Sequence, residues 1–240
     1  MPTLSGPVMV YGQEVFNSSS NPAHQVGAEG FASDGRRFRY ARAGALDLVV
    51  GNVLQTRVEN TSHTGVVCRA TAAGASSILI TAGAGAGALA ANEYASGYAI
   101  VDTTPGLGYA YRIAGHAAIL AGANGQLDLE GDVVQVALGT ASRLTLVSQP
   151  FRGVIQHPAA ATGACTGVCV FPILANQYGW VQTGGPGAAL CAGTIGTGQP
   201  ATSVGGVGSL TVHTAELNAV ATMLAAGAAG KVAPVWLWVN

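Results

Sequence analysis

The chain has 240 residues, of which 35 are glycine and only 9% are charged, and its formal net charge is −1. Ordinary soluble domains carry about 25% charged residues, so this surface is either coated with Thr, Ser, Gly and Ala or buried against partners. A near-neutral chain has no overall electrostatic pull toward nucleic acid or anionic membrane, and the composition is an unusual one for an isolated cytosolic enzyme.

The start, MPTLSGPVMVYGQEVF, lacks the basic region and continuous apolar run of a secretory leader. The low-charge runs further on are interrupted by Gly, Thr and Pro, which predicts no transmembrane helix. Residues 1–30 read as an extended arm, because FNSSSNPAHQVGAEG has no sustained period and Ser18 to Pro22 is loop chemistry. An arm of this kind is ordered by lying along a neighbour, or is disordered.

The next stretch, FASDGRRFRYARAGALDLVVGNVL, holds Arg36, Arg37, Arg39 and Arg42. Asp34-Gly35 reads as a hairpin turn, since both residue types tolerate positive φ. Alternation beyond it sends Phe38 and Tyr40 to one face of a strand and Arg37 and Arg39 to the other. Two roles fit: an interface strand that meets acidic groups on a partner, or a solvated edge strand charged against edge-to-edge pairing.

Strands are predicted at Asp47 to Val50, Val53 to Val58, Gly65 to Ala70 and Ser77 to Thr81. The run AGAGAGALAA at Ala82 to Ala91 is a loop, because each interior glycine costs a helix about 1 kcal/mol relative to alanine. It lacks the Lys-Ser/Thr ending of a nucleotide-binding loop. Gly97 to Val101 and Tyr109 to Ile113 form a hairpin around Pro105-Gly106. Asn124-Gly125 is a third hairpin turn by its chemistry, with His116 to Leu120 before it and Gln126 to Glu130 after it. Val133 to Leu138, Arg143 to Val147, Phe151 to Ile155, Gly167 to Ile173, Tyr178 to Thr183 and Ala188 to Cys191 follow as strands. Near the end, Ala219 to Leu224 and Val235 to Val239 pair as a final hairpin, or Glu216 to Ala229 forms a helix capped by Thr214. Trp236 and Trp238 then share one face. Short strands recurring between Gly, Pro, Asn and Asp predict an all-β chain: an antiparallel β-sandwich or barrel with little helix. The domain layout that follows is an arm over 1–30 and a β-rich domain over 31–240, either as one domain or as two subdomains divided near residue 150.

Chemistry is sparse. His24, His63, His116, His157 and His213 are scattered, and no GxSxG, HExxH or nucleotide fingerprint occurs. Cys68, Cys165, Cys169 and Cys191 lack zinc spacing and read as small buried hydrophobes. Asp128, Glu130 and Asp132 alternate on one strand face running into a turn. They form a solvated face and the favoured acidic counterpart for Arg37 or Arg39 of another copy. Arg36 to Arg42 with Phe38 and Tyr40 interleaved is a miniature stacking platform, and one such patch in a neutral chain is too little to make a nucleic-acid binder. Tyr178 and Trp180 are the aromatic pair that a carbohydrate-binding module would present. The reading is a non-enzyme without cofactor or metal.

The segments DGRRFRYARAGA, GYAIVDTTPGLGYAYRI, LEGDVVQVALGTASRLTLV and NQYGWVQTGGPGAAL resemble, in style and order over residues 26–240, the head decoration or cement proteins of tailed bacteriophages. The resemblance implies a β-rich virion protein, often with extended arms, made in the host cytoplasm and mounted on the capsid exterior. There it would bridge major capsid protein subunits, commonly as a trimer at local three-fold positions. It transfers no individual site residue, but it favours the interface role for Arg36, Arg37, Phe38, Arg39, Tyr40 and Arg42. A tail- or fibre-associated protein and a surface carbohydrate-binding module are the alternatives.

Overall fold

The computed structural model describes residues 7–84, 87–214 and 218–239. The fold is all-β, as the alternation and turn chemistry predict. The chain divides into two compact units, one built from Met1–Val58 with Pro150–Asn240 and the other from Glu59–Gln149. One division falls at 149/150. The other, at 58/59, makes the second unit an insertion into the first.

The inserted unit is a closed antiparallel barrel. Its strands run in the order Asn124–Leu129, Ser77–Thr81, Val66–Cys68, Arg143–Val147, Tyr98–Val101, Ala110–Gly115 and back to the first. Alternate residues point inward: Ile78 with Ile80, Leu127 with Leu129, Ala99 with Val101, Tyr111 with Ile113, and Leu144 with Leu146 are all buried. A small barrel is filled by such side chains and has no edge to protect. The predicted Tyr98/Arg112 hairpin forms. Asn124-Gly125 does not turn. Both residues pair with Thr81 and Ile80 in the ladder, and the reversal comes earlier, where Ala123 N–H donates to Leu120 O and Gly122 has φ +73°. Long-range pairing outweighs the local turn preference here. His116 to Leu120 and Val133 to Leu138 contribute only the isolated bridges Leu89–Ile119 and Thr71–Leu138, as Asp47 to Val50 contributes only Leu48–Ile173 in the first unit.

In the first unit, the arginine strand Arg37–Ala43 is interior, which corrects the edge-strand expectation. It pairs with Glu29–Phe31 on one side and with the long strand Tyr178–Leu190 on the other, and its last residues run parallel to Arg152–Gln156. Through Arg152–Gln156, Val53–Gln55, Cys165–Cys169 and the long strand, the pairing returns to the arginine strand and closes a ring of five strands. Ala41, Ala43, Leu48, Leu54, Val154, Cys169, Ile173 and Val181 form one core of this unit. Phe38, Tyr40 and Trp180 form another with Val10 and Val15.

Those last two residues correct the arm. Val8–Met9 pairs parallel with Glu29–Phe31, Gly12–Val15 is a short helix, and Ser18–Ser19 pairs with Tyr178 and Gly179. From residue 8 on, the segment therefore lies on its own domain, because Val10 and Val15 have apolar surface to bury there. The long strand also runs through Gly184-Gly185-Pro186-Gly187, which composition reads as a break. Its pairing with the arginine strand stops at Gly184, so the missing N–H of Pro186 falls where that flank has no registered partner. The final hairpin forms: Ala221–Met223 pairs with the C-terminal strand Val232–Trp238, and residues 218–229 are not helical. The helix start at Glu216 lies outside the described residues.

Candidate functional site

The site grows from the hairpin that Asp34-Gly35 closes. Ala32 N–H donates to Arg36 O, Gly35 N–H to Ala32 O, and Gly35 takes φ +86°. Asp34 Oδ1 accepts from the Arg36 backbone and Oδ2 pairs with Arg36 Nε at 2.7 Å. The Arg36 backbone N–H, then its side chain, hold the Asp34 carboxyl below its ordinary pKa. The turn thus orients Arg36, whose guanidinium sits 5.4 Å from the centroid of Phe38.

Across the strand pair, Arg39 lies opposite Glu29 and binds it, Nη2 to Oε1, at 2.5 Å. Its Nη1 donates to Gly27 O, and its plane lies over Phe151. Arg42 donates to Asn176 through both the backbone and side-chain oxygens and lies over Tyr178. Arg37 is exposed, rests over Phe31, and has no acidic partner among the described residues. Phe38 and Tyr40 are buried, and the Tyr40 hydroxyl accepts from Ala23 N–H, which fastens the N-terminal segment. The predicted face split is therefore present. The four arginines differ in role: three of them are committed within the domain, and Arg37 is the free donor fork.

Beside this strand opens a cleft of about 250 Å³ lined by Phe31, Phe38, Phe151 and Val239, with Glu29, Arg37 and Arg39 as its charged groups. Two guanidiniums against one carboxylate leave the cleft with a surplus positive charge. Phe151, Thr56, Cys165, Thr166, Thr183 and Val239 reach it from distant parts of the sequence, and no local pattern signals them. Arg152 was also missed. It lies opposite Arg42 in the parallel pairing, and burial, then the Arg42 charge, push its pKa down.

On the other side of Arg37 runs a second groove, lined by Gly35, Arg37, Gly184, Gly185, Trp236, Leu237 and Trp238. Along the C-terminal strand Ala233, Val235 and Leu237 are buried, whereas Trp236 and Trp238 are 48% and 41% exposed. This tryptophan pair is open to solvent. Trp180 and Gln182 are buried and Tyr178 is half-buried, so the expected Tyr178/Trp180 platform does not exist.

Asp128, Glu130 and Asp132 are exposed in the inserted barrel, and only Asp128 is inside a strand. Asp128 accepts from Gln126, Glu130 pairs with Arg112 Nε at 3.0 Å, and Asp132 accepts from the Arg112 backbone N–H. Among the described residues no group of three His, Cys, Asp or Glu is placed to hold a metal. No helix among them is long and apolar enough to cross a membrane.

The four cysteines are free; Cys68, Cys169 and Cys191 are buried and Cys165 is partly so. Burial pushes the Cys68 and Cys165 thiols up to about 11 and Cys169 up to about 12. Among the described residues a Ser–His contact occurs: Ser203 Oγ lies 3.0 Å from His157 Nε2, while His157 Nδ1 donates to Pro158 O. Both side chains are buried, a carbonyl takes the place of an orienting carboxylate, and neither residue lines the clefts described here. The contact ties Pro158 and its loop to Pro200–Gly206. His63 and His116 likewise pack on Tyr94 as core groups.

Comparison with protein-family models, with curated proteins and with solved structures returns no significant match.

Proposed function

We propose that this protein is a non-enzymatic structural protein of a tailed-bacteriophage head, mounted on the capsid exterior, where it bridges major capsid protein subunits and copies of itself, as a trimer. The observation that carries the reading is the cleft beside the arginine strand, with its apolar walls and surplus cation. Such a cleft suits a partner segment that offers an apolar side chain next to a carboxylate. Arg37 is the residue free to make that charge-assisted contact. In this reading the intramolecular pairs of Arg36, Arg39 and Arg42 hold the docking strand rigid before it meets the shell, which lowers the ordering cost of attachment. A protein that binds only the assembled shell stabilises it by mass action, and low charge over the rest of the surface suits close packing on a lattice.

The test is co-sedimentation of purified protein with emptied phage heads, quantified against the major capsid protein. Saturation at a fixed small-integer ratio, lost in a folded Arg37→Glu variant, is the expected result. Absence of wild-type attachment discards the head role, and full occupancy by Arg37→Glu discards the cleft as its docking site.

A further inference from the structure

We infer that the groove between Arg37 and the tryptophan pair is a binding site for an acidic saccharide, a pyranose unit carrying a carboxylate. It shares Arg37 with the head-docking cleft, and the tryptophan pair, which lines this groove and not that cleft, separates the two. The inference starts from an anomaly: Trp236 and Trp238, 48% and 41% exposed, project from a strand that lies inside the sheet. Both strand flanks are paired, so an occupant cannot add as a further strand and must lie on top of the rings.

The floor decides what kind of occupant fits. Trp238 lies opposite Gly184 and Trp236 opposite Pro186, and Gly184 in turn lies opposite Arg37. Gly184 and Gly185 present no side chain, so the surface between Arg37 and the indoles is a shallow trough of about 250 Å³. Ligand clefts for drug-sized molecules run from about 300 to 1,000 Å³, so this one takes one or two rings and not a folded peptide. The π faces of indoles carry negative potential and attract the polarised C–H face of a sugar ring.

The polar groups sit where a saccharide needs them. Trp238 Nε1 donates to Ala219 O at 3.0 Å, which fixes that ring before any ligand arrives. The stem of Arg37 packs over Gly184, 3.4 Å from where a Cβ would stand, so Arg37 lines the trough while its guanidinium rests over Phe31. Because Arg37 has no acidic partner among the described residues, its donor fork is open to a ligand carboxylate in the bidentate manner. Thr222, paired opposite Trp236, adds a hydroxyl on the far flank.

The experiment is retention of the full chain on immobilised oligogalacturonides and sialyllactose, with cellotetraose and lactose as neutral counterparts, and tryptophan fluorescence followed in parallel. Retention on at least one acidic surface is expected, with the emission perturbed. The double variant W236A/W238A should remain folded by far-UV circular dichroism, since both rings are exposed, and should lose retention. Arg37→Met should lower the preference for acidic over neutral saccharide about tenfold or more, the worth of one charge-assisted hydrogen bond. Failure of the folded wild-type protein to bind either acidic surface overturns the inference, whether or not a neutral one retains it, as does retention that survives W236A/W238A. Loss of head attachment in W236A/W238A with silent saccharide surfaces would instead make this a protein-docking face and also overturn it.

Discussion

The Arg39 guanidinium reaches the Glu29 carboxylate across the hairpin, Nη2 to Oε1 at 2.5 Å, while Nη1 donates to Gly27 O at 3.0 Å. One side chain thereby joins the residues before the turn to the strand after it, and it does so at the wall of the cleft. Both partners are partly exposed, so solvent screening limits the pair to about 1 kcal/mol or less.

Reversing the charge at Arg39 should therefore cost modestly and in a recoverable way. Arg39→Glu sets two carboxylates opposite each other, and the expected loss is about 1 kcal/mol. Adding Glu29→Arg should restore most of it, measured as urea midpoints in a double-variant cycle. A double variant no more stable than the single one would show that the Gly27 contact, and not the ion pair, holds Arg39.

Gly35 tests the turn by itself. Its φ is +86° and no atom lies within 4 Å of where a Cβ would stand, so Gly35→Ala adds backbone strain without a clash. The expected loss is about 1–2 kcal/mol, with Gly35→Asn losing less because Asn tolerates this region. Thermal denaturation of the two variants gives the order. Equal stability of wild type and Gly35→Ala would mean that the turn relaxes to another geometry.

What was legible in the sequence is what depends on neighbours along the chain. The Asp34-Gly35 turn, the burial of Phe38 and Tyr40 against the outward Arg37, and the strand Ser77–Thr81 follow from turn chemistry and period two. The position of the arginine strand inside the sheet depends on Tyr178–Leu190, which local pattern cannot name as its partner. The same applies to Asn124-Gly125, whose turn chemistry is overridden by pairing with Thr81 and Ile80. The alternation in VWLWV gave a shared face for Trp236 and Trp238. Which of the strand's two faces meets solvent is set by the core that Ala233, Val235 and Leu237 join.

The thiols should behave as core groups. Burial raises Cys68 and Cys165 from the ordinary 9.0 to about 11, and Cys169 to about 12. Because only thiolate attacks a disulfide reagent, the native protein at mildly alkaline pH should react far more slowly than the urea-unfolded chain. The linkage has a definite sign. The folded values lie above the unfolded one, so this stability is complete below 9.0 and is lost as pH rises toward 11 and 12. Rapid labelling of all four thiols in the folded protein would contradict the buried placement.

His157 makes the opposite prediction at low pH. Burial pushes its pKa below 6.5, and the hydrogen bond from Nδ1 to Pro158 O only partly opposes that shift. The folded state therefore prefers the neutral ring, with Nε2 free to accept from Ser203 Oγ at 3.0 Å. A depressed folded pKa gives stability that is present above 6.5 and lost as pH falls through the folded value. Urea midpoints should drop between about pH 7.5 and about pH 5. His157→Gln should flatten that slope, because the replacement does not titrate. Ser203→Ala should lower stability by about 1 kcal/mol at both pH values while keeping the slope, since it removes a hydrogen bond but not the titrating ring. A slope that persists unchanged in His157→Gln would assign the acid sensitivity to other groups and leave the Ser203 contact a packing detail.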